Sequence, residues 1–210
     1  MPGSIGDIAR NAARFAVHSV LVDYYATPQH WSIPRALERL LRATNAWLLS
    51  ENTCRPDLKG LVVSLSVLIV KDHRCYIAHA GNTRIYRFRN RRLRPLTRDH
   101  AWSPQGIPNI LKRAIGLDDC LVVDYREDEL QPGDLFVLVS DGAWEVLGEQ
   151  RLLELVRDGG PPQDMAVRLV EAAQLHQARY MGRNDVSALV AAFQAPLAHA
   201  SADRLAGSTA

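Results

Sequence analysis

The sequence predicts an α+β domain, with helices layered against a largely antiparallel sheet. Three observations carry that reading. Residues 4–49 place apolar side chains at helical spacing in two stretches. Residues 60–140 hold short runs of β-branched or alternating residues, separated by turn-formers. Residues 149–193 return to helical spacing and close on one more apolar run. Helices, then a block of strands, then helices and a strand is the order expected of α+β layering.

Ile5, Ile8, Ala9, Ala12, Phe15, Ala16 and Val20 recur near helical spacing within residues 4–26. Ser4, with Asp7 three residues on, offers a cap for this helix. TPQHWSI breaks the pattern. A second helix is expected over roughly 34–49, with Leu37, Leu40, Leu41, Thr44 and Leu48 along one side. Pro34 falls in its first turn, where a missing N–H costs least. GLVVSLSVLIV (60–70) is rich in β-branched residues and reads as a buried strand. RCYIAHAG (74–81) and TRIYRFRN (83–90) alternate with period two, as half-buried strands do, and NRRLRPL returns as a hairpin. SPQGIPNILKRAIG (103–116) reads as a loop and short helix. LVVDYRE (121–127) and DLFVLVS (134–140) are two more strands, separated by the turn-forming QPGD. Helices over 149–157 and 162–179 and a strand over 185–193 follow. The Ala/Ser-rich stretch 194–210 has no core pattern and is expected to be a disordered tail, which leaves 1–193 as the one domain.

Composition narrows the function classes. The chain has 210 residues, 47% of them hydrophobic and 23% charged, as one globular domain requires. A formal net charge of +2 implies no polyanionic partner, so nucleic-acid binding is not expected. Cys54, Cys75 and Cys120 are far apart and odd in number. That argues against a disulfide framework or a Cys-type zinc site and fits a reducing cytosol. No apolar run has transmembrane length and no signal-peptide pattern is visible, so a cytoplasmic protein without membrane contact is expected. There is no internal repeat, no P-loop lysine, no GxGxxG and no HExxH.

LFVLVSDGAWEVL (135–147) puts an acid and a glycine at the end of a buried strand. A hard divalent cation needs oxygen ligands, an Asp at a strand end is rigidly placed, and Gly permits close backbone approach. On Asp-Gly alone, the simpler reading is that Asp141 caps the following helix.

The surrounding order shifts that balance. HAGNTRIYRFRNRRLRPLTRDH, then PGDLFVLVSDGAWEVL, then GRNDVSALV resembles the metal-dependent type 2C protein serine/threonine phosphatases, the PPM family. That family's pattern runs roughly as Gly-Asp-Ser-Arg with a hairpin and LTxDH, then GD-apolar-SDG-x-W-D, then Asp-Asn-x-Thr/Ser-apolar. GLVVSLSVLIV stands where the family has its Thr-rich strand, and the likeness runs from Gly60 to Val190. DYYATPQHWSIPRALERLLRATNAWLL looks like the phosphatase half of bacterial phosphatase–kinase fusions. The resemblance implies a four-layer α-β-β-α sandwich of two mainly antiparallel sheets flanked by helices. It implies two or more Mg²⁺ or Mn²⁺ ions in a channel at one end, with a metal-bridging water as nucleophile on phosphoserine or phosphothreonine. It implies phosphorylated proteins as partners, together with a linked or cognate Ser/Thr kinase. Asp141 matches the family's bridging metal carboxylate, and Glu145 a nearby acid that helps hold a third, weaker ion.

The departures are equally specific. The family's early Asp-Gly, the strands before it and its phosphate-binding Arg have no counterpart in a chain starting at Met1, so an N-terminally incomplete domain lacking the first strands is expected. Asn82 follows Gly81 where the family has Asp. Asn184 stands at the usual metal position, with Asp185 one residue later. Amides remain oxygen donors but do not neutralise a cation, so a magnesium site should be severely weakened. The candidate metal set is Asp141, Glu145, Asn184, Asp185 and Asn82. The expectation is weak hydrolysis or, as the alternative, a catalytically degenerate module that binds partners without turnover.

Other residues have structural readings. His79 is expected to be packed rather than catalytic, His100 to order a turn, and Arg84 to be an ion-pair partner. Arg84, Arg87, Arg89, Arg91, Arg92 and Arg94 read as a solvated hairpin edge. Trp144 is expected to pack beneath the site, and Asp7 to be a cap or a second acid near the channel mouth.

Overall fold

Helices α1 (Ile5–Ala26) and α2 (Ile33–Cys54) open the chain. Strands β1 (Leu65–Lys71), β2 (Arg74–Ala80), β3 (Arg84–Arg89) and β4 (Arg92–Pro95) follow, then the short β5 (Ala101–Trp102) and β6 (Ile110–Leu111). Next come β7 (Asp124–Glu129), β8 (Leu135–Val139), α3 (Asp141–Arg157), α4 (Pro162–Tyr180) and β9 (Ala188–Ala192). This is a computed structural model, and it describes residues 5–54, 60–102, 110–180 and 184–194.

Two antiparallel sheets lie between two helical layers. The first has strand order β1-β2-β7 and the second β4-β3-β8-β9. Ala12, Ala16 and Val20 of α1 and Leu37, Leu41 and Leu48 of α2 pack on Leu65, Ala78 and Ala80 of the first sheet. Leu152, Leu155, Met165 and Leu169 of α3 and α4 pack on Tyr86, Val137 and Val139 of the second. Cys75, Ile77, Ile85 and Phe136 meet between the sheets. The period-two alternation on β2 and β3 is therefore real, but both faces are covered: on β3, Ile85 turns to the middle core and Tyr86 to α3 and α4. On β2, Cys75 and Ile77 turn to the middle core, while Ala78 and Ala80 turn to the helices. Packing on both sides, rather than one wet face, corrects the half-buried reading. None of the described helices is long and apolar enough to cross a membrane.

Element boundaries moved for local reasons. Residues 60–64 lie before β1, with Val63 making only an isolated bridge to Ile115. No helix occurs in 110–116; Ile110 and Leu111 pair instead with Trp102 and Ala101, and 103–109 lie outside the described residues. α2 runs on to Cys54. α3 holds two helical segments joined across a kink at Gly148 (φ 67°, ψ 166°): the expected 149–157 is the second, and 141–147 precedes it. β9 starts at Ala188 rather than at 185.

The arginine run does not form one solvated edge. Arg91, Arg92 and Arg94 are exposed, but Arg87 is only 7% exposed and points between the sheets. It lies 3.2 Å from Asp128 as an ion pair without hydrogen-bond alignment. Arg84 pairs with Asp99 and Arg89 with Asp134. The partners come from β7 and from loops far along the chain, which is why alternation within the hairpin could not show them. Ser4, Arg183, the side chain of Asp7 and the expected tail from residue 195 onward lie outside the described residues.

Candidate functional site

Strand β8 ends at Val139, and Ser140 laces that end to the chain entering β9. The Ser140 N–H donates to Ser187 O (3.0 Å), and the Ser187 N–H donates back to Ser140 Oγ (2.9 Å). The Ser140 hydroxyl donates to Asp185 O at 3.0 Å. Ser140 is the N-cap residue of α3 but makes no side-chain cap, because its hydroxyl is committed across the gap. Asp141 is the first helical residue. Its Oδ1 accepts only the adjacent Gly142 N–H, at 2.8 Å, so it is not the helix cap. Position 142 must be glycine because a Cβ there would stand 2.6 Å from Asp185 O and 3.0 Å from Asn184 Cβ. The Ser-Asp-Gly sequence is thus a strand end, an acid and a gap through which residues 184–185 pass.

The other side of Asp141 is built by the first sheet. β2 ends at Ala80, and Gly81 (φ +122°) presses on Ser64, where a Cβ would come within 2.3 Å of Ser64 Oγ. That turn delivers Asn82, whose Nδ2–H donates to Asp141 Oδ2 at 3.1 Å. The Ser64 hydroxyl donates to Asn82 Oδ1 at 2.8 Å. The amide orientation follows from chemistry: a carboxylate only accepts, so the nitrogen must face Asp141. The Trp144 indole N–H donates to Asn82 O at 2.8 Å. The Arg84 guanidinium lies 3.4 Å over the Trp144 ring and is forked onto Asp99 at 2.9 and 2.8 Å. From α4, Gln177 donates to Gly142 O at 2.9 Å.

The structure therefore brings Asn82 directly onto Asp141 and sets Asn184 and Asp185 beside Gly142. Asp141 is half-buried, while Asn184 and Asp185 are exposed. Glu145 is exposed on the next turn of α3. Ser64, Ser140, Trp144 and Gln177 complete the frame. Trp144, three residues after Asp141, was visible in the sequence only as a packing residue. Ser64 and Gln177 carry no local signal at all.

The donor set can be weighed against the ions that the resemblance implies. Among the described residues, no group of three or more His, Cys, Asp or Glu could hold a metal ion. The one oxygen of the Asn82 amide is engaged by Ser64, and its N–H groups point where a cation would sit. Hard divalent ions need several oxygen ligands with enough charge to offset dehydration. The described residues do not by themselves fit a two-ion centre.

A second polar cluster lies three residues upstream on β2. His79, 1% exposed, has Nε2 3.1 Å from Arg98 O and Nδ1 2.8 Å from Ser66 Oγ. The carbonyl can only accept, so Nε2 carries the proton and Nδ1 accepts from Ser66. Burial, reinforced by the His100 ring 4.8 Å away, pushes the His79 pKa down to about 4. His100 does order a turn: its N–H donates to Gly81 O at 2.7 Å, and its Nε2 lies 2.9 Å from Asp124 Oδ2. Burial alone would raise the Asp124 carboxyl, but His100 and Arg113 hold it below its ordinary value. A polar cavity of about 600 Å³ opens here, lined by His79, Thr97, Arg98 and Asp124 among others, and it includes neither Asp141 nor Asn82.

Two antiparallel sheets between helical layers, with an acid at the joined strand ends, are the arrangement that the resemblance to PPM-type phosphatases implies. A family model described as Stage II sporulation protein E (SpoIIE) matches residues 11–194, and the chain belongs to that family. It is 25% identical over 167 residues to the serine/threonine phosphatase stp of Listeria monocytogenes serotype 4b (strain F2365), covering 72% of this chain and 66% of that protein. The chain thus spans just under two thirds of that relative's length. Its fold is similar to the crystal structure of the Mycobacterium tuberculosis serine/threonine phosphatase PstP/Ppp, with a TM-score of 0.77 and 21% identity over 89% of this chain and 83% of that one. It is also similar to the catalytic domain of PstP in complex with two manganese ions, with a TM-score of 0.70 and 21% identity over 88% and 79% of the two chains.

Proposed function

We propose that this domain is a protein phosphatase of the PPM type, directed at phosphoserine and phosphothreonine in proteins, with low turnover in this chain. The observation that carries the reading is the juxtaposition at the sheet ends: Asp141 against Asn82, with Asn184 and Asp185 beside Gly142. This is where the resemblance expects acids, and two of the positions hold amides. Asp141 and Asp185, aided by Asn184 and Glu145, are the residues proposed to hold a cation, with Asn82 contributing least. Mn²⁺ should be preferred over the harder, reluctantly dehydrating Mg²⁺. Phosphorylated proteins in the cytoplasm, marked by a cognate Ser/Thr kinase, are the proposed partners.

The test is phosphopeptide hydrolysis by wild type, Asp141→Ala and Asn184→Asp, each with Mn²⁺ or Mg²⁺. Slow Mn²⁺-supported turnover, abolished by Asp141→Ala and raised by Asn184→Asp, is expected. Robust Mg²⁺-supported turnover that survives Asp141→Ala would overturn both the residue assignment and the predicted weakness. A second reading, a degenerate module that binds phosphorylated partners without turnover, is favoured by the amide already satisfying Asp141. Phosphopeptide binding with no hydrolysis under either metal would select it.

A further inference from the structure

We propose that the Asn82 carboxamide takes the place of a cation beside Asp141, so that this end of the sandwich is locked without metal. The contact itself is polarised as an ion contact would be: the positive edge of an amide faces a carboxylate oxygen at 3.1 Å. A cation bound to that oxygen would stand about 2.0–2.6 Å from it, in the space the NH₂ group occupies. The two cannot face the same lone pairs together.

The amide is also prevented from swinging away. Asn82 is 6% exposed and is gripped at every polar group. Ser64 Oγ donates to Oδ1 at 2.8 Å and accepts the backbone N–H at 3.3 Å. Trp144 holds the backbone carbonyl, and Arg84, fixed by Asp99, covers the Trp144 ring. The Gly81 backbone lies against Ser64 too closely for any side chain. Rotating the amide would turn Oδ1 toward Asp141 and set two acceptors face to face, an arrangement that only a bridging cation relieves. A carboxylate at position 82 would meet Asp141 in the same like-charged pairing. The chemistry of one residue therefore decides whether this site needs a cation to be stable.

The experiment compares thermal melts of wild type, Asn82→Asp and the swapped double variant Asn82→Asp/Asp141→Asn, in EDTA and in millimolar Mn²⁺. Mn²⁺ binding is followed in parallel by the loss of the free-ion EPR signal. Wild type, whose amide leaves only weak, competed cation binding to support slow turnover, should melt within about 1 °C in EDTA and in Mn²⁺ and should leave most of the EPR signal intact. Asn82→Asp should melt roughly 5 °C lower in EDTA and recover in Mn²⁺. The swapped variant, which restores one amide facing one carboxylate, should again melt independently of metal. Stoichiometric wild-type Mn²⁺ binding that raises the melting temperature, with both effects lost in Asp141→Ala, would overturn the proposal, whether or not Asn82→Asp folds. An Asn82→Asp melt as high as wild type in EDTA would also overturn it. The outcome does not depend on turnover. If no variant hydrolyses phosphopeptide but Asn82→Asp gains Mn²⁺-dependent stability, the phosphatase reading fails and this inference stands.

Discussion

Strand β8 carries an aspartate beyond each end, and the two are held in opposite ways. Asp134, just before Leu135, has a fully buried side chain forked onto Arg89 and accepting the Gln131 N–H at 2.9 Å. Burial alone would raise its carboxyl, but the Arg89 fork and the Gln131 N–H hold it below its ordinary value. Asp141, one residue past Ser140 at the other end, is half-buried and faces two neutral donors, the Asn82 amide and the Gly142 N–H. The first acid is a finished structural contact, compensated by a full charge. The second has been given partial charges only, which hold its geometry while leaving its own charge uncompensated by either contact. The same residue type on the same strand is closed off by a full charge at one end and met only by neutral donors at the other, where it is proposed to act.

That contrast can be broken most forcefully at Asp134. Replacing it by alanine leaves the Arg89 guanidinium, 21% exposed, with only its bond to Glu129 O among the described residues, so the loss should approach but not exceed the roughly 3–5 kcal/mol of a fully buried pair. Urea unfolding of Asp134→Ala should show a loss of that size; a loss below about 1 kcal/mol would mean that the two ends of β8 are energetically alike.

A pH series sharpens it next. His79 has its folded pKa pushed to about 4 against an ordinary value of 6.5. Between those values the unfolded chain binds a proton that the folded chain refuses, so stability must fall as pH drops from about 6.5 to about 4. The full effect is about 3 kcal/mol, and His79→Gln should flatten that limb. Asp134 acts in a lower window. Its depressed carboxyl contributes stability that is present above the unfolded value near 3.8 and lost as pH falls through the folded value. An acid limb confined to below pH 4 would show that His79 titrates normally.

Asp141→Ala should have the smallest effect. Two hydrogen bonds from neutral donors to a half-buried, solvent-screened carboxylate are worth about 1–2 kcal/mol net. Near-wild-type unfolding, together with loss of any Mn²⁺-supported hydrolysis, is the expected pairing. A destabilisation as large as that of Asp134→Ala would make Asp141 a structural acid and erase the comparison.

Much of this fold was legible because its local signals agree with its layers. β-branched and alternating runs from Leu65 to Val139 form strands, and the leucines of α2 line one buried side. On Asp-Gly alone Asp141 reads as a helix cap, whereas the N-cap residue is Ser140; only the family resemblance makes Asp141 a candidate site residue. Asn82 and Asn184 were legible only as departures from a family pattern. The expected helix 149–157 begins just after Gly148, whose positive φ separates it from the segment 141–147 that the spacing did not show.

The sequence by itself determined the main helices and strands, though not β5, β6 or the helical residues 141–147, that they layer as α+β, and which acid stands at the end of which strand. These follow from periodicity and from residues adjacent in the chain. Only the tertiary structure decided that Asn82, 59 residues before Asp141, turns its amide nitrogen onto that carboxylate. It likewise decided that Arg87 is buried against Asp128 rather than solvated, and that Gly142 makes room for residues 184–185. Each of these depends on which strand ends meet when two sheets stack. Local pattern specifies a strand's faces, but not the charge it will find opposite them.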